Sequence, residues 1–444
     1  MINAIILAAG KGERMKTNIP KCAFPILKKP MINYIIDTLK KTKVDNRVIV
    51  VGYKKEVFLD MLKDETFAIQ EEQLGTADAV KCALDKLKEG ITIVLPGDTP
   101  LINSTLINKL LDIQIKENND MALCSMMLDD PKGYGRIVRN NKVVEKIVEE
   151  KDASTEIKKI KEVNTGIMVF NNSFLTKAIK KIKNDNAKGE YYLTDIVNFT
   201  KKISNYLLED PDMMLGINDL CALSVVEEKL LDNIRNTHML NGVNIINKNS
   251  VVIGPDVEIE SGVTIYPNSI ILGRTKISKN AIIGPSTELY NAIIKENVIC
   301  RQSVVYDSTI LKNAEVGPFA HIRNHAIIGD KNRIGNFVEV KNSTLGSTTK
   351  ASHLSYLGDS EIGDNVNIGC GAITVNYDGK KKSKTIIGDN VFVGCNSNLI
   401  APVEIKDNAF IAAGSTITDN VDESDLAIAR SKQINKKGYA KKYR

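Results

Sequence analysis

Residues 253–289 read IGPDVEIESGVTIYPNSIILGRTKISKNAIIGPSTEL, and every sixth position is aliphatic: Ile253, Ile259, Ile265, Ile271, Ile277, Ile283 and Leu289. Neither the 3.6-residue period of a helix nor the two-residue period of a strand gives that spacing. The beat returns as Ile310, Val316, Ile322, Ile328, Ile334 and Val340, and again as Ile387, Val393, Leu399, Ile405, Ile411 and Ile417. With 43% hydrophobic residues in the chain, such a set arises by chance roughly once in ten million tries, or about twice in a hundred thousand if each run chooses its register. A hexapeptide repeat is therefore present. It predicts a parallel β-helix in which each short strand turns one aliphatic side chain inward before a corner. A single turn cannot bury its apolar face, so the coils must stack. Three six-residue sides make about 18 residues a turn, and the residues beyond about position 242 give about ten coils.

The beat lapses between Val340 and Ile362 and between Ile368 and Ile387. The first lapse holds Lys341-Asn342-Ser343-Thr344-Leu345-Gly346 and Ala351-Ser352-His353-Leu354-Ser355-Tyr356-Leu357-Gly358-Asp359. The second holds Gly371 to Lys382, with Asn376, Tyr377 and three consecutive lysines. Lapses of this kind read as loops inserted on a solenoid, where binding faces are commonly built.

At 444 residues the chain exceeds one ordinary core and predicts about two or three domains. The 60 Lys and Arg against 54 Asp and Glu leave a net charge of only +6. Nucleic acid is not implied, although local basic spots suit phosphorylated small molecules. Seven scattered cysteines without a CxxC pair favour reduced thiols in a cytosol over a disulfide frame or zinc. The N-terminus has no basic segment before its apolar stretch, and no run of about 18 apolar residues occurs. Neither export nor membrane insertion is supported, and a cytoplasmic location is expected.

The first half has another grammar. Ala4 to Ala9, Arg47 to Gly52, Ile91 to Leu95, Met121 to Leu128 and Val163 to Phe170 read as strands, with Met31 to Thr42 and Thr76 to Lys88 as helices between them. Such alternation predicts a mostly parallel sheet covered on both faces, with ligands bound beyond the carboxyl ends of the strands. Three strand ends stand out. Leu7-Ala8-Ala9-Gly10-Lys11-Gly12-Glu13-Arg14-Met15, with Lys21 following, is a glycine loop that lets backbone N–H groups approach phosphate, or else a tight turn. Val94-Leu95-Pro96-Gly97-Asp98 places a carboxylate to hold Mg²⁺ beside triphosphate oxygens, or to cap a helix. Gln70 to Ala77 offers amide, hydroxyl and backbone groups at a helix start, for reading a base or for capping.

Taken in order, LAAGxGxRM, a downstream Lys, QLGTA and a strand-end GD resemble the nucleotidyltransferases that join a nucleoside triphosphate to a sugar 1-phosphate. The likeness continues through Gly133-Tyr134-Gly135-Arg136, Ile147-Val148-Glu149, Asn164-Thr165-Gly166, Gly189 to Asp195 and Gly216-Ile217-Asn218. With the hexapeptide half added, the chain resembles the bacterial family of bifunctional UDP-N-acetylglucosamine pyrophosphorylase and glucosamine-1-phosphate N-acetyltransferase enzymes. That resemblance implies a Rossmann-like α/β nucleotidyltransferase domain over residues 1–220, a helical linker over 221–241, and a left-handed parallel β-helix over 242–444. In the linker, Leu223, Val226, Leu230, Ile234 and His238 keep helical spacing. The implied product feeds peptidoglycan and other cell-envelope polysaccharides.

By the same resemblance, Leu7, Ala8, Ala9, Gly10, Gln70, Gly75 and Thr76 would hold the uridine nucleotide. Gly135, Glu149 and Asn164 would hold the N-acetylglucosamine portion, and Asp98 and Asn218 would coordinate Mg²⁺. Attack of a sugar-phosphate oxygen on the α-phosphorus of UTP needs positioning and charge neutralisation, to which Lys21 and Arg14 are suited. Pro96 stands where the family often has a hydroxyl-bearing residue, which leaves one fewer donor there.

In the second half the segment His353 to Asp359 resembles the acetyltransferase motif. His353 would be the general base for attack of the glucosamine amine on the thioester of acetyl-CoA. Arg323, Lys341, Tyr356 and Asn367 would hold glucosamine 1-phosphate, and Glu339 would orient the base or the amine. Cys370, Asn376, Tyr377, Cys395, Ala413 and Arg430 would contact acetyl-CoA. Cys370 and Cys395 stand where Ala and Ser are usual, and the tail from Arg430 to Arg444 is basic, serving either as a solvated extension or at the CoA phosphates. A homotrimer assembled through the β-helix is implied. Two other readings remain open on the sequence: a pyrophosphorylase whose β-helix only regulates or assembles, and a β-helix that trimerises to bind a partner protein.

Overall fold

Six residues, Ile2–Leu7, form the strand on which the first half is built. The computed structural model describes residues 1–444, which divide into two units, Met1–Leu230 and Leu231–Arg444. In the first unit the sheet runs in the order Ile203–Leu208, Met121–Met127, Glu162–Asn171, Ile91–Pro96, Ile2–Leu7, Asn46–Val51, Thr66–Ile69. Neighbours are parallel except around Glu162–Asn171, which is antiparallel to both of its partners. A hairpin of Arg136–Asn140 and Val143–Val148 joins the sheet where Val163 pairs with Arg136.

Alternate residues of the central strands enter two cores, as the two-residue strand period requires. Ala4, Ile6, Ile49, Ile93 and Leu95 pack with Ile32, Ile35, Leu106 and Leu110 of the helices Met31–Leu39 and Ser104–Glu117. Ile5, Val48, Val50 and Val94 pack with Ala77 and Val80 of the helix Thr76–Cys82 and with Leu193, Ile196 and Val197. That helix is shorter than its spacing suggests. At Ala83 and Lys86 the backbone tightens to bonds three residues back, on Val80 and Ala83, and a 3₁₀ turn, Leu84–Lys86, follows.

The helix Leu220–Leu240 is as expected. Its start is capped by Asp219 Oδ1, which accepts from Ala222 N at 2.9 Å. Val226 and Leu230 belong to a cluster of the first unit with Met15, Ile26 and Met31. In the second unit Ile234 packs on the β-helix core, and Arg235 Nε donates to Val251 O at 2.8 Å.

The second unit is the parallel β-helix of left-handed hexapeptide type, with ten strands stacked on the wall from Val252–Ile253 to Thr416–Ile417. Every residue of the six-beat points into one continuous core. Only Ile259 is partly exposed, because Glu258–Ile259 starts its wall and has a neighbouring strand on one side only, Lys276–Ile277.

The two lapses differ in kind. Between Val340 and Ile362 nothing is inserted: Leu345, Ala351 and Leu357 carry the inward positions and are buried. The beat slips because a residue is missing at two corners. Arg333–Lys341 and Lys350–Gly358 pair all the way round the bend, from Arg333 with Lys350 to Lys341 with Gly358. The silent stretch after Leu289 has the same cause, with Ile294, Cys300 and Val305 buried at shortened spacing. Each shortened corner turns on one left-handed residue: Asn291, Gln302, Asp307, Asn342 and Asp359 have φ of 49°, 46°, 47°, 48° and 49°. The second lapse is a true insertion. Ile368 pairs with Val393, and the extra chain folds back through a bridge between Tyr377 and Lys382.

Candidate active sites

In the first unit the glycine loop, the strand end at Asp98 and the distant Asn218 converge. Lys21 Nζ donates to Asp98 Oδ2 at 2.5 Å and to Asn218 Oδ1 at 2.9 Å, and Arg14 Nη2 donates to the same Asn218 oxygen at 2.9 Å. Ile217 N bonds Asp98 O at 3.0 Å, which ties the two segments together. Gly12 must be glycine here: its φ is +68°, and a Cβ would lie 2.5 Å from Lys21 Cβ. Asp98 and Asn218 thus aim hard oxygen donors at one cationic centre, filled in this structure by an ammonium, and such a donor set suits Mg²⁺.

A second cluster lies at the start of the helix Thr76–Cys82. Gln70 is buried, and its Nε2 donates to Gly75 O at 3.0 Å and Asp78 Oδ2 at 2.9 Å. Gly75 has φ +120°, and a Cβ there would lie 2.5 Å from Tyr191 O. Thr76 Oγ1 accepts from Leu193 N at 2.9 Å. One residue on, Thr194 Oγ1 donates to Glu149 Oε1 at 2.9 Å, so the segment Tyr191 to Thr194 links the predicted nucleotide residues to the predicted sugar residues. Burial pushes the Glu149 carboxyl above its ordinary value, against the hydrogen bond from Thr194. Gly135 lies against it, and Asn164 N bonds Gly135 O at 2.8 Å. The loop Ala8-Ala9-Gly10 follows the first strand, with Ala8 N on Val50 O, while Leu7 O accepts from Gly97 N. Pro96 ends its strand in register with Leu7.

In the second unit the register organises the site. Each coil places one residue at the same corner, two positions after an inward side chain. Asn336, His353, Cys370, Cys395 and Ala413 occupy successive levels of that file, as the pairings Ile334 with Ala351, Ala351 with Ile368, Ile368 with Val393 and Val393 with Ile411 require. His353 Nδ1 lies 3.0 Å from Asn336 Oδ1. An amide oxygen only accepts, so Nδ1 carries the proton and Nε2 is left as the base. At the far end Arg430 Nη1 donates to Ala413 O at 2.6 Å. Glu339 is not beside the imidazole: Oε1 accepts from Arg323 Nε and Nη2 at 2.8 and 2.6 Å. Asn336, absent from the expected set, orients the ring instead.

On the adjoining wall Arg323 pairs in register with Lys341, and Glu339 with Tyr356. Lys341 Nζ lies 4.0 Å from Asp359 Oδ2, and Asp359 also accepts from Asn342 and Asn376. Burial would raise that carboxyl, but these hydrogen bonds and the charges of Lys341 and Lys382 outweigh it and hold it below the usual range. Lys382, from the inserted loop, is held below the ordinary lysine value by its neighbour Lys341. Three cations therefore crowd one wall, suited to a phosphate dianion. Tyr377 stands exposed on the same loop, its hydroxyl on Gly379 O at 2.8 Å.

The expected residues are not all together. Asn367 lies in the strand Asn367–Ile368, on the opposite side of the corner from Arg323, Lys341 and Tyr356. Asn376 and Tyr377 lie at one edge of a wall, across the strand Ile373–Val375 from the file of Cys370, Cys395 and Ala413 at the other.

The family model for nucleotidyl transferases matches residues 3–210, and that for bacterial transferase hexapeptide repeats matches residues 307–342 and 384–419. A bifunctional protein GlmU of Acholeplasma laidlawii is 52% identical over 446 residues, covering 99% of this chain and 97% of the relative. The bifunctional protein GlmU of an Exiguobacterium strain is 45% identical, covering 99% of each. That of Clostridium novyi is 44% identical, covering 99% of this chain and 98% of the relative.

Proposed function

This chain belongs to the family of bifunctional GlmU proteins, and from that premise we propose how its two units divide the chemistry. The protein is a bifunctional transferase of UDP-N-acetylglucosamine synthesis. It acetylates glucosamine 1-phosphate with acetyl-CoA and transfers a uridylyl group from UTP to N-acetylglucosamine 1-phosphate, releasing pyrophosphate. The product feeds peptidoglycan and other cell-envelope polysaccharides. No helix is long and apolar enough to cross a membrane.

Uridylyl transfer belongs to the first unit. Leu7 to Gly10, Gln70, Gly75 and Thr76 seat the nucleotide, and Gly135, Glu149 and Asn164 seat the sugar. Asp98 and Asn218 would hold Mg²⁺, which would supply charge neutralisation at the triphosphate. Lys21 and Arg14 are the two fixed cations that stabilise charge on the phosphate oxygens as the sugar phosphate attacks in line and pyrophosphate departs. Gln70 holds Gly75 and so fixes the backbone that faces the nucleotide. Glu149, which accepts from Thr194 and lies against Gly135, is placed to accept from a sugar hydroxyl.

Acetyl transfer belongs to the second unit. The phosphate of glucosamine 1-phosphate lies on Arg323 and Lys341, joined by Lys382, with Tyr356 and Asn367 on the sugar. His353 Nε2 takes the proton of the attacking amine, and Asn336 keeps Nδ1 protonated so that the base is the outward nitrogen. Cys370, Cys395 and Ala413 form the rail along which the thioester arm lies, with Arg430 at its end and Asn376 and Tyr377 on the inserted loop.

The β-helix forms a homotrimer in this reading. Three bulky residues beside the catalytic file, Phe319, Phe337 and Leu354, have φ of 60°, 59° and 35° and are each more than half exposed. The rings of Phe319 and Phe337 stack at 5.5 Å. Left-handed backbone at a bulky residue costs roughly 1–2 kcal/mol, and here it displays apolar surface to water, as an interface between copies requires. A neighbouring copy would bring into one site ligands that a single copy holds on different walls.

The observation that carries this division is the convergence of Arg14, Lys21, Asp98 and Asn218 in one unit and the His353 file in the other. Incubation with acetyl-CoA, glucosamine 1-phosphate, UTP and Mg²⁺ tests it, following acetylated product and pyrophosphate separately. Both should appear, with pyrophosphate lagging behind acetylation. Either product without the other removes one half of the reading.

A further inference from the structure

The seven cysteines differ in what they can do. Cys22, Cys124 and Cys300 are buried, and burial pushes their thiols up to about 12, about 11 and about 12, which leaves them protonated and inert. Cys370 and Cys395 both reach solvent, and Cys395 is the more exposed. They also stand at the same corner on adjacent coils. Gly369 N donates to Val393 O at 2.7 Å, and Asn396 N donates to Cys370 O at 2.8 Å, so the two backbones are hydrogen-bonded on both sides of the pair. Adjacent strands lie about 4.8 Å apart, inside the range of about 4.4–6.8 Å that a disulfide spans between Cα atoms. Both side chains leave the same corner of the solenoid, one level and two levels beyond His353.

We infer that Cys370 and Cys395 are an oxidation site at which a hydroperoxide closes a disulfide and stops acetyl transfer, an inference that rests on the acetyl-CoA reading of this file. The Cys395 thiolate attacks one peroxide oxygen, the O–O bond breaks, and hydroxide leaves a sulfenic acid on Cys395. The Cys370 thiol attacks that sulfur, the S–O bond breaks, and water departs with the thiol proton. The two thiols give up two electrons and two protons, and hydrogen peroxide, the hydroperoxide used in the test, is reduced to two waters. A dithiol reductant reverses the step by thiol–disulfide exchange. The closed bridge joins the two levels next to the base, where the thioester has to lie. Its Cβ atoms must approach to about 3.8 Å, nearer than the strand spacing, so the corner tightens under the rail. The first unit contains neither residue, and uridylyl transfer continues.

The test treats the reduced full-length protein with hydrogen peroxide, then measures acetylated product from glucosamine 1-phosphate, pyrophosphate from UTP with added N-acetylglucosamine 1-phosphate, and cross-linked peptides by mass spectrometry. The expected result is a Cys370–Cys395 linked peptide, a loss of acetyl transfer of roughly tenfold or more, and pyrophosphate release within about twofold of the reduced rate. Dithiothreitol should restore the acetyl transfer. Cys370→Ala and Cys395→Ser, each compared with its own reduced rate, should lose less than about twofold under the same peroxide. No linked peptide, equal losses in the variants, or a linked peptide without loss of acetyl transfer overturns the inference and leaves the acetyl-CoA reading standing. A reduced parent protein that transfers no acetyl group removes that reading, and this inference with it.

Discussion

His353 and Asp98, two of the proposed site residues, carry the predictions at the level of single residues. His353 is legible because it is one of four histidines and sits in a lapse of an otherwise strict beat. Its orienting partner Asn336 is not: it belongs to a regular coil one level away, and only the stacking brings the amide to the ring. Lys382 is hidden likewise, since a run of three lysines gives no sign of which one folds back to Lys341. Replacing His353 by Ala should lower acetyl transfer about 100- to 10,000-fold while leaving pyrophosphate release unchanged, measured on the two half-reactions in one preparation. Asp98→Ala should do the converse: pyrophosphate release falls to background and acetylation persists. Retention of pyrophosphate release by Asp98→Ala at saturating Mg²⁺ would refute the metal assignment, because Asn218 alone cannot replace the lost carboxylate charge.

Among the elements, the β-helix is legible because its period is a packing rule: one aliphatic side chain per wall must face inward. The rule says nothing about the length of a corner, so two shortened corners pass for an inserted loop until Leu345 and Leu357 are found in the core. The true insertion, from Asn376 to Lys384, leaves the stack and returns without disturbing the inward positions Thr374 and Ile387, both buried. In the α/β unit the strand runs were readable, but the short edge strand Thr66–Ile69 and the strand Ile203–Leu208 carry too few consecutive apolar residues to declare themselves. Ile328 is fully buried at a wall centre, between Ile310 and Leu345 in register. Ile328→Asp removes about 1.5–3 kcal/mol of apolar burial and adds an unpaired buried charge. The expected cost is about 3–5 kcal/mol or more, read as a lowered melting temperature of the β-helix in calorimetry.

For the whole molecule, the two-enzyme organisation follows from two unrelated grammars in one sequence, α/β alternation and then a six-residue beat. What the sequence could not give is which residues share a surface. The expected ligands of each acetyl-transfer substrate fall on both sides of a corner, so the proposed grouping of them calls for assembly. Sedimentation should find a trimer, and Phe337→Glu, which puts charge on the stacked Phe319–Phe337 ridge, should shift it toward monomer. Acetyl transfer should fall with the trimer fraction and pyrophosphate release should not. Full acetyl transfer from solitary subunits would end the shared-site picture.

The corner file has one more consequence. His353, Cys370, Cys395 and Ala413 are four marks on a ruler whose graduation is the strand spacing, and three steps of about 4.8 Å put Arg430's anchor roughly 14 Å from the base. If the acyl donor lies along this file as proposed, the solenoid would gauge it by length: only a carrier long enough to run from the imidazole to the third mark would engage the whole scale, and a truncated thioester would be left holding the near end.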